Sequence, residues 1–264
     1  MPSNSSFASG GRVFYILQVF KYFGIIKGVV YILSNKLHLR VLLSIKIRNK
    51  KIYIRTNSPD FPIAIDNLIN GEFKELPIKY ILEQEGGIID GGSYIGTSAL
   101  ALHELFPEKR IICVEPHLGN FKILHKNTKN ISNIEILNAA LAPKKVERAM
   151  LINRTREYGF TIVSNTQVDN RADEIGYVEC VNIEDLMILF GFDNLALLKL
   201  DVEGGEMAIL DHSEKWISSV SCVYIELHDR ILPGCTESFL EATKSMNDWS
   251  TKSEKLCKIR HISA

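Results

Sequence analysis

Two different rhythms of apolar and polar residues divide the chain. From residue 87 onward, short continuous apolar runs alternate with amphipathic stretches. "GIID" (87–90), "RIICVE" (110–115), "IEIL" (134–137), "LALLKLD" (195–201) and "CVYIEL" (222–227) read as strands buried on both faces, since almost no polar residue alternates within them. Between them, residues 95–106 place Ala99, Leu102 and Leu105/Phe106 on one helical face, and 117–129 and 183–192 also read as helices. Buried strands separated by helices predict a parallel sheet covered on both sides. Right-handed crossovers make such a sheet doubly wound. The connection 143–182 is longer. It holds "ERAMLINR", "FTIVSN" and "GYVECVNI" between polar turns and predicts an inserted β-hairpin or edge strands. From about residue 236 a helix and a mostly polar end follow.

The first 80 residues read differently. Residues 11–37 are apolar and aromatic, but Lys21, Gly24, Lys27 and Gly28 interrupt them. A membrane-spanning helix wants roughly 20 apolar residues with few or no charges. The pattern predicts one or two amphipathic helices over 12–33, packed on the domain or associating with a second chain as a homo-oligomer or with a membrane surface. "SIKIRNKKIYIR" (44–55) alternates apolar and basic residues and predicts a β-hairpin turning at Asn49-Lys50. Its Lys46, Arg48, Lys50, Lys51 and Arg55 form a basic cluster. Prolines punctuate 58–73 before a short helical pattern. The expected division is an N-terminal helical and hairpin extension, 1–80, followed by an α/β domain, 81–264.

Composition narrows the function classes. The chain has 264 residues, 46% hydrophobic and 23% charged, which are globular values. Lys+Arg and Asp+Glu are equal at 31 each, which gives no support to a nucleic-acid partner. The five cysteines are odd in number and form no CxxC pair, so neither a disulfide framework nor a structural zinc site is expected. That points to a reducing, cytoplasmic compartment, with the membrane periphery open to the N-terminal segment.

The densest chemistry lies in "IIDGGSYIGTSAL" (88–100). Gly91 and Gly96 have P-loop spacing, but Thr97 and Ser98 follow and no lysine does. The dinucleotide fingerprint G-x-G-x-x-G lacks its middle glycine, which disfavours a nicotinamide oxidoreductase. What fits is acid-x-Gly-x-x-x-Gly, made by Asp90, Gly92 and Gly96, with Tyr94 inside the loop. An acid there repels a pyrophosphate but suits a cationic nucleoside. S-adenosylmethionine carries an ammonium and a sulfonium and no phosphate. Glu115, 25 positions after Asp90 at the end of the next strand, is placed to accept hydrogen bonds from two ribose hydroxyls. Asn138, ending the third strand, either flanks the adenine or serves an ordinary turn.

"LLKLDVEGGEMAIL" (197–210) and "VYIELHDR" (223–230) end two further strands beside that loop. Lys199 and Asp201 share a face by the period of two. Glu203 and Glu206 stand at a helix start, where capping accounts for them. Asp201 and His228 are the expected catalytic pair, with His228 taking a proton and Asp201 orienting it or the cofactor. Asp201 with Glu203 is too sparse a set for a metal, and none is expected.

Together "IIDGGSYIGTSALAL", "VEPHLGNFKIL", "LLKLDVEGGEMAIL" and "YIELHD" resemble the FkbM-type S-adenosylmethionine-dependent methyltransferases, over roughly 87–229. Lys199, Asp201, Glu203, Gly204 and Glu206 match the most specific stretch. The resemblance implies a seven-strand class I, Rossmann-like methyltransferase fold, with methyl transfer to a hydroxyl on a sugar, glycan or secondary metabolite. Asp90, Gly92, Gly96 and Glu115 carry over as cofactor contacts. The departure is at the end, where only "WSTKSEKLCKIRHI" is left for the sixth and seventh strands. A reduced substrate side, or one completed by another chain, is therefore expected. The alternative function is a non-catalytic nucleoside-binding or assembly protein that keeps the cleft.

Overall fold

The structure, a computed structural model, describes residues 11–144, 149–153, 160–163 and 173–260. Helix α1 (Gly11–Lys36) leads into the hairpin β1 (Leu42–Ile47) and β2 (Lys50–Arg55), then α2 (Asp60–Ile65) with a π-helical turn over Asp66–Asn70, and α3 (Ile78–Glu83). The alternating part follows: β3 (Gly87–Gly91), α4 (Thr97–Leu105), β4 (Ile111–Val114), α5 (Leu118–Thr128) and β5 (Ile134–Leu137). Next come β6 (Ala140–Leu141), the three inserted strands β7 (Ala149–Asn153), β8 (Phe160–Val163) and β9 (Asp173–Val178), and β10 (Cys180–Val181). The chain ends with α6 (Ile183–Phe190), β11 (Leu195–Leu200), α7 (Glu206–Leu210), β12 (Cys222–Glu226), α8 (Cys235–Ala242), β13 (Asn247–Lys252) and β14 (Lys255–Ile259).

The main sheet has seven strands in the order β13-β14-β12-β11-β3-β4-β5. All pairs are parallel except those of β14, which runs antiparallel to both neighbours. The chain lays down β3, β4 and β5 in one direction, then returns to place β11 on the other side of β3. The reversal makes the gap between the ends of β3 and β11 the place where such sheets bind ligands. Side chains alternate across the sheet with period two. Ile88, Ile111, Cys113, Leu197 and Tyr224 pack on one face with α4, α5 and the N-terminal elements. Ile89, Ile112, Val114, Leu198 and Val223 pack on the other with α6, α7 and α8.

Three expectations change. The hairpin turns at Arg48-Asn49, one residue earlier than the alternation indicated, because Ile47 pairs with Lys50. Both turn residues have positive φ, 44° and 68°, as a type I′ hairpin turn requires. The sheet is complete: β13 and β14 close it as a hairpin from within "WSTKSEKLCKIRHI" and the two residues before it. Its polar outer strand hid it, since β13 is an edge with mostly exposed side chains. The extension also lacks a core of its own. Val19, Phe23, Ile45, Ile54 and Phe61 belong to the same buried cluster as Ile88, Leu102 and Cys222, so the boundary at 80 falls inside a shared core.

The inserted segment forms a separate three-stranded antiparallel sheet, β8-β7-β9, fastened by the parallel pair β6-β10. Parts of "ERAMLINR" and "FTIVSN" lie outside the described residues. Helix α1 breaks at Gly24, whose backbone (φ 71°, ψ 179°) no helix accommodates. One side of α1 buries Val19, Phe23 and Tyr31 around Phe61, with ring centroids 5.1 and 5.6 Å from Phe23 and Tyr31. Its other side leaves Leu17, Ile25, Ile26 and Leu33 exposed, Ile25 and Ile26 at 79% and 81%. The five cysteines are buried.

Candidate functional site

A cavity of about 940 Å3 opens at the carboxyl ends of β3, β4, β11 and β12. Its walls include Gly92, Tyr94, Glu115 and Asp201, four of the residues expected there. Asp90, Gly96, Asn138 and His228 stand behind the wall.

The glycine loop is built by strain that only its own sequence tolerates. Gly92 has φ 77°, and a Cβ there would sit 1.8 Å from the carbonyl oxygen of Asp201. The loop and the end of β11 therefore touch backbone to backbone. Gly96 has φ 84°, and its Cβ would meet Leu124 of α5 at 2.6 Å. Its left-handed backbone and its packing against α5 both call for glycine at Gly96. Tyr94, with φ 51°, donates its N–H to Glu115 Oε2 at 2.9 Å and its hydroxyl to Asp60 Oδ1 at 2.6 Å. Asp60 is in turn gripped by Arg55, at 2.9 Å from Nε and 2.8 Å from the terminal nitrogen. The extension thus anchors the loop.

Asp90 does not face the cavity. It is fully buried, with Oδ1 3.1 Å from Lys199 Nζ and Oδ2 accepting from Ser98 Oγ at 2.6 Å. Lys199 is its direct neighbour in the β3–β11 register. A buried carboxylate takes the nearest cation, and here the protein supplies one, so Asp90 braces the loop from beneath. Asn138 likewise turns inward, donating to the carbonyls of Glu115 at 2.8 Å and Pro116 at 3.0 Å. Ala140 and Leu141 form the flank expected of it.

Glu115 sits where the second strand enters the wall. It accepts from the N–H groups of Tyr94 and His117, both at 2.9 Å, and from the Asn120 amide at 3.1 Å. Burial pushes its pKa up to about 7, against the pull of those hydrogen bonds. On the opposite wall Asp201 is a third exposed, 3.7 Å from Lys199 Nζ. Glu203, Glu226, Tyr224 and Glu72 continue that wall. The last two come from far apart in the sequence: Tyr224 donates to Glu72 Oε1 at 2.9 Å, and Lys255 bridges Glu72 and Glu226, 3.3 Å from the latter. No local pattern marks Glu72, which enters the wall from the N-terminal extension and meets Tyr224 and Lys255 there.

His228 is not placed as a general base. Its side chain is 1% exposed, and Nδ1 lies 2.7 Å from Glu206 Oε1. Glu206 is fully buried and accepts from the N–H groups of Val202 at 3.1 Å and Gly204 at 2.9 Å. Burial alone lowers the pKa of His228. The hydrogen bond and charge of Glu206, with Asp201 and Glu203 beyond, outweigh it and raise the value to about 9. An imidazole already protonated at neutral pH takes no second proton. Glu203 is pushed up to about 8, by burial first and the Asp201 charge next. Its Oε2 is buried without a hydrogen-bond partner.

The family model for the methyltransferase FkbM domain matches residues 90–252, well over half of the chain. No curated protein matches. Among solved structures, an FkbM methyltransferase from Methylobacillus flagellatus KT is similar at 16% identity and a TM-score of 0.43, over 66% of this chain and 43% of that one. A tRNA (uracil-54, C5)-methyltransferase of Pyrococcus abyssi, in complex with S-adenosyl-L-homocysteine, is similar at 9% identity and a TM-score of 0.39, over 82% of this chain and 43% of that one. Aeropyrum pernix fibrillarin, with natively bound S-adenosyl-L-methionine, is similar at 9% identity and a TM-score of 0.43, over 83% and 82%. The chain thus spans less than half the length of the first two. Likenesses this distant bear on neither substrate nor mechanism.

Proposed function

Because the chain belongs to the FkbM methyltransferase family, we propose that it methylates a hydroxyl of a sugar, glycan or secondary metabolite. S-adenosylmethionine supplies the methyl on a sulfonium, a good leaving group. The residues present fit that donor: Glu115 offers a carboxylate to the ribose hydroxyls, and Gly92 lets the loop backbone lie close against a nucleoside.

The carrying observation is Asp201, which ends β11 in the wall while its carbonyl abuts the Gly92 loop. An acceptor hydroxyl held by Asp201 would lie beside a donor bound along that loop, and alignment at about 3 Å supplies most of such catalysis. A wall of carboxylates is also the chemistry that binds a polyhydroxylated acceptor. Glu226, on the adjacent strand end, takes the hydroxyl proton; burial and the Asp201 charge raise its pKa and make it the stronger base. The O–CH3 bond forms as the S–CH3 bond breaks, and sulfur keeps the electron pair. The test is labelled S-adenosylmethionine with a panel of polyols and glycans, following acceptor-dependent S-adenosylhomocysteine. Asp201→Asn is expected to lose turnover at least a hundredfold while keeping donor affinity. Donor binding without transfer to any acceptor would favour the non-catalytic alternative.

The N-terminal unit fits an anionic membrane surface on the cytoplasmic side. Residues 1–59 contain ten Lys and Arg and no acid, so the neutral total divides into a basic extension and an acidic remainder. The exposed apolar residues of α1 lie within this basic unit, the combination that holds an amphipathic helix in a headgroup layer. Sedimentation with vesicles containing anionic lipid, but not with neutral ones, is the expected result. Dimerisation in solution without vesicle binding would assign the face to a second copy instead.

A further inference from the structure

His228 has no part in the proposed proton transfer, yet its ring is held with unusual care. Glu206, fixed by two backbone N–H groups, grips Nδ1 at 2.7 Å. This aims Nε2 at Asp201 Oδ1, 3.8 Å away, and at Glu203 Oε2, 3.5 Å away. Neither separation is a hydrogen bond of useful strength. The donor atoms of all three residues lie within 4.8 Å of one another. Glu203 Oε2, buried, makes no hydrogen bond, and its other charged neighbour, the Arg230 guanidinium, stays 3.8 Å away.

We propose that Asp201, Glu203 and His228 bind one divalent cation, through a carboxylate oxygen of each acid and Nε2 of the histidine, at the wall of the cavity. Ligand bonds of about 2.0–2.2 Å put adjacent ligand atoms roughly 3–3.6 Å apart, so the observed spacings need only small side-chain adjustments to close on an ion. The Glu206–His228 contact is what an outer carboxylate does for a ligating histidine. It keeps a proton on Nδ1 and leaves the Nε2 lone pair for the metal. One imidazole with two carboxylates suits Mn2+ or Zn2+ better than Ca2+, which prefers an all-oxygen set. Asp201 and Glu203 line the cavity and His228 lies behind them, so the ion's remaining positions face the acceptor. Its catalytic role, which rests on the methyl-transfer reading, is to hold the acceptor oxygen and lower the hydroxyl's pKa before Glu226 takes the proton.

The test is full-length protein stripped by a chelator and titrated with Mn2+, following loss of the free six-line electron paramagnetic resonance signal. One bound Mn2+ per chain is expected. Glu203→Gln and His228→Gln should each weaken it at least tenfold, with thermal unfolding confirming that both variants are folded. Chelator should lower turnover at least a hundredfold and Mn2+ restore it, while donor binding measured by calorimetry persists throughout. No Mn2+ bound at millimolar concentration, or binding unchanged in folded Glu203→Gln, overturns the site. Chelator-insensitive turnover overturns the catalytic role and leaves methyl transfer standing. A Mn2+ site sensitive to both substitutions, in a protein that methylates nothing, keeps the cation site and removes the activity.

Discussion

Lys199 and Asp90 face each other across the β3–β11 register, with Nζ 3.1 Å from Oδ1, and neither is more than 7% exposed. Lys199 also donates to the carbonyl of Gly92 at 2.9 Å, so one ammonium joins two strands and the glycine loop. Lys199→Met strands the Asp90 charge and should cost about 3–5 kcal/mol in urea unfolding. Adding Asp90→Asn should recover most of that loss. A double variant no better than the single one would mean that Lys199 acts through the loop carbonyls alone.

Glu115 carries a pH signature. Its folded-state pKa, about 7, lies above the ordinary 4.5. The folded protein therefore keeps a proton that the unfolded chain releases. The stability from this group is complete below about pH 4.5 and is lost as pH rises through 7, by on the order of 3 kcal/mol. Ribose hydroxyls donate to the ionised form, so donor binding below pH 7 should expel a proton. Calorimetry in two buffers of different ionisation heat reads this, and identical heats would count against Glu115 as the ribose partner. Glu115→Ala should cost the donor about one to two decades of affinity.

The two kinds of strained glycine should separate cleanly. Gly92→Ala drives a Cβ to 1.8 Å from a backbone oxygen and should destabilise by more than about 3 kcal/mol. Gly191, the left-handed cap of α6, has φ 68° and nothing within 4 Å of its Cβ. Its alanine variant should lose only about 1–2 kcal/mol. Comparable melting shifts would show that backbone conformation, not contact, sets the cost at both.

The tether from the extension to the loop is a third target. Tyr94→Phe removes a hydrogen bond to the charged Asp60, worth about 1.5–3 kcal/mol. The ring and the backbone bond to Glu115 stay in place. Stability should fall by that amount and donor affinity only severalfold. An affinity loss beyond a hundredfold with unchanged stability would place the phenol in direct contact with the donor.

The sheet and the cavity's position were legible because apolar runs and glycine spacing are local signals. The continuous run 195–201 announced a buried strand, and Asp-x-Gly-x-x-x-Gly announced a close approach. What stayed hidden were pairings across distance. Asp90 looked free to meet a cation because its lysine lies 109 positions away on β11. His228 looked like a base because nothing near it in sequence shows that Glu206 holds its other nitrogen. Asp201 and Glu203 alone fell short of a ligand set, and the third donor arrives only when β12 pairs with β11. Edge strand β13 escaped notice because its side chains are mostly polar and exposed.

The placement of β14 sets the order in which the protein can be completed during synthesis. The second strand of the last hairpin, not the first, pairs with β12, while β13 lies outside it. Everything through Glu226 can emerge and collapse with Glu226 still missing Lys255, its partner in the β12–β14 register. The chain is made from its N-terminus, and domains fold as units. The acidic wall therefore gains its lysine, and the sheet its seventh strand, only after residue 259 has left the ribosome. A nascent chain ending at Glu226 holds Asp201, Glu203 and Glu226 but lacks the lysine that bridges Glu226 to Glu72.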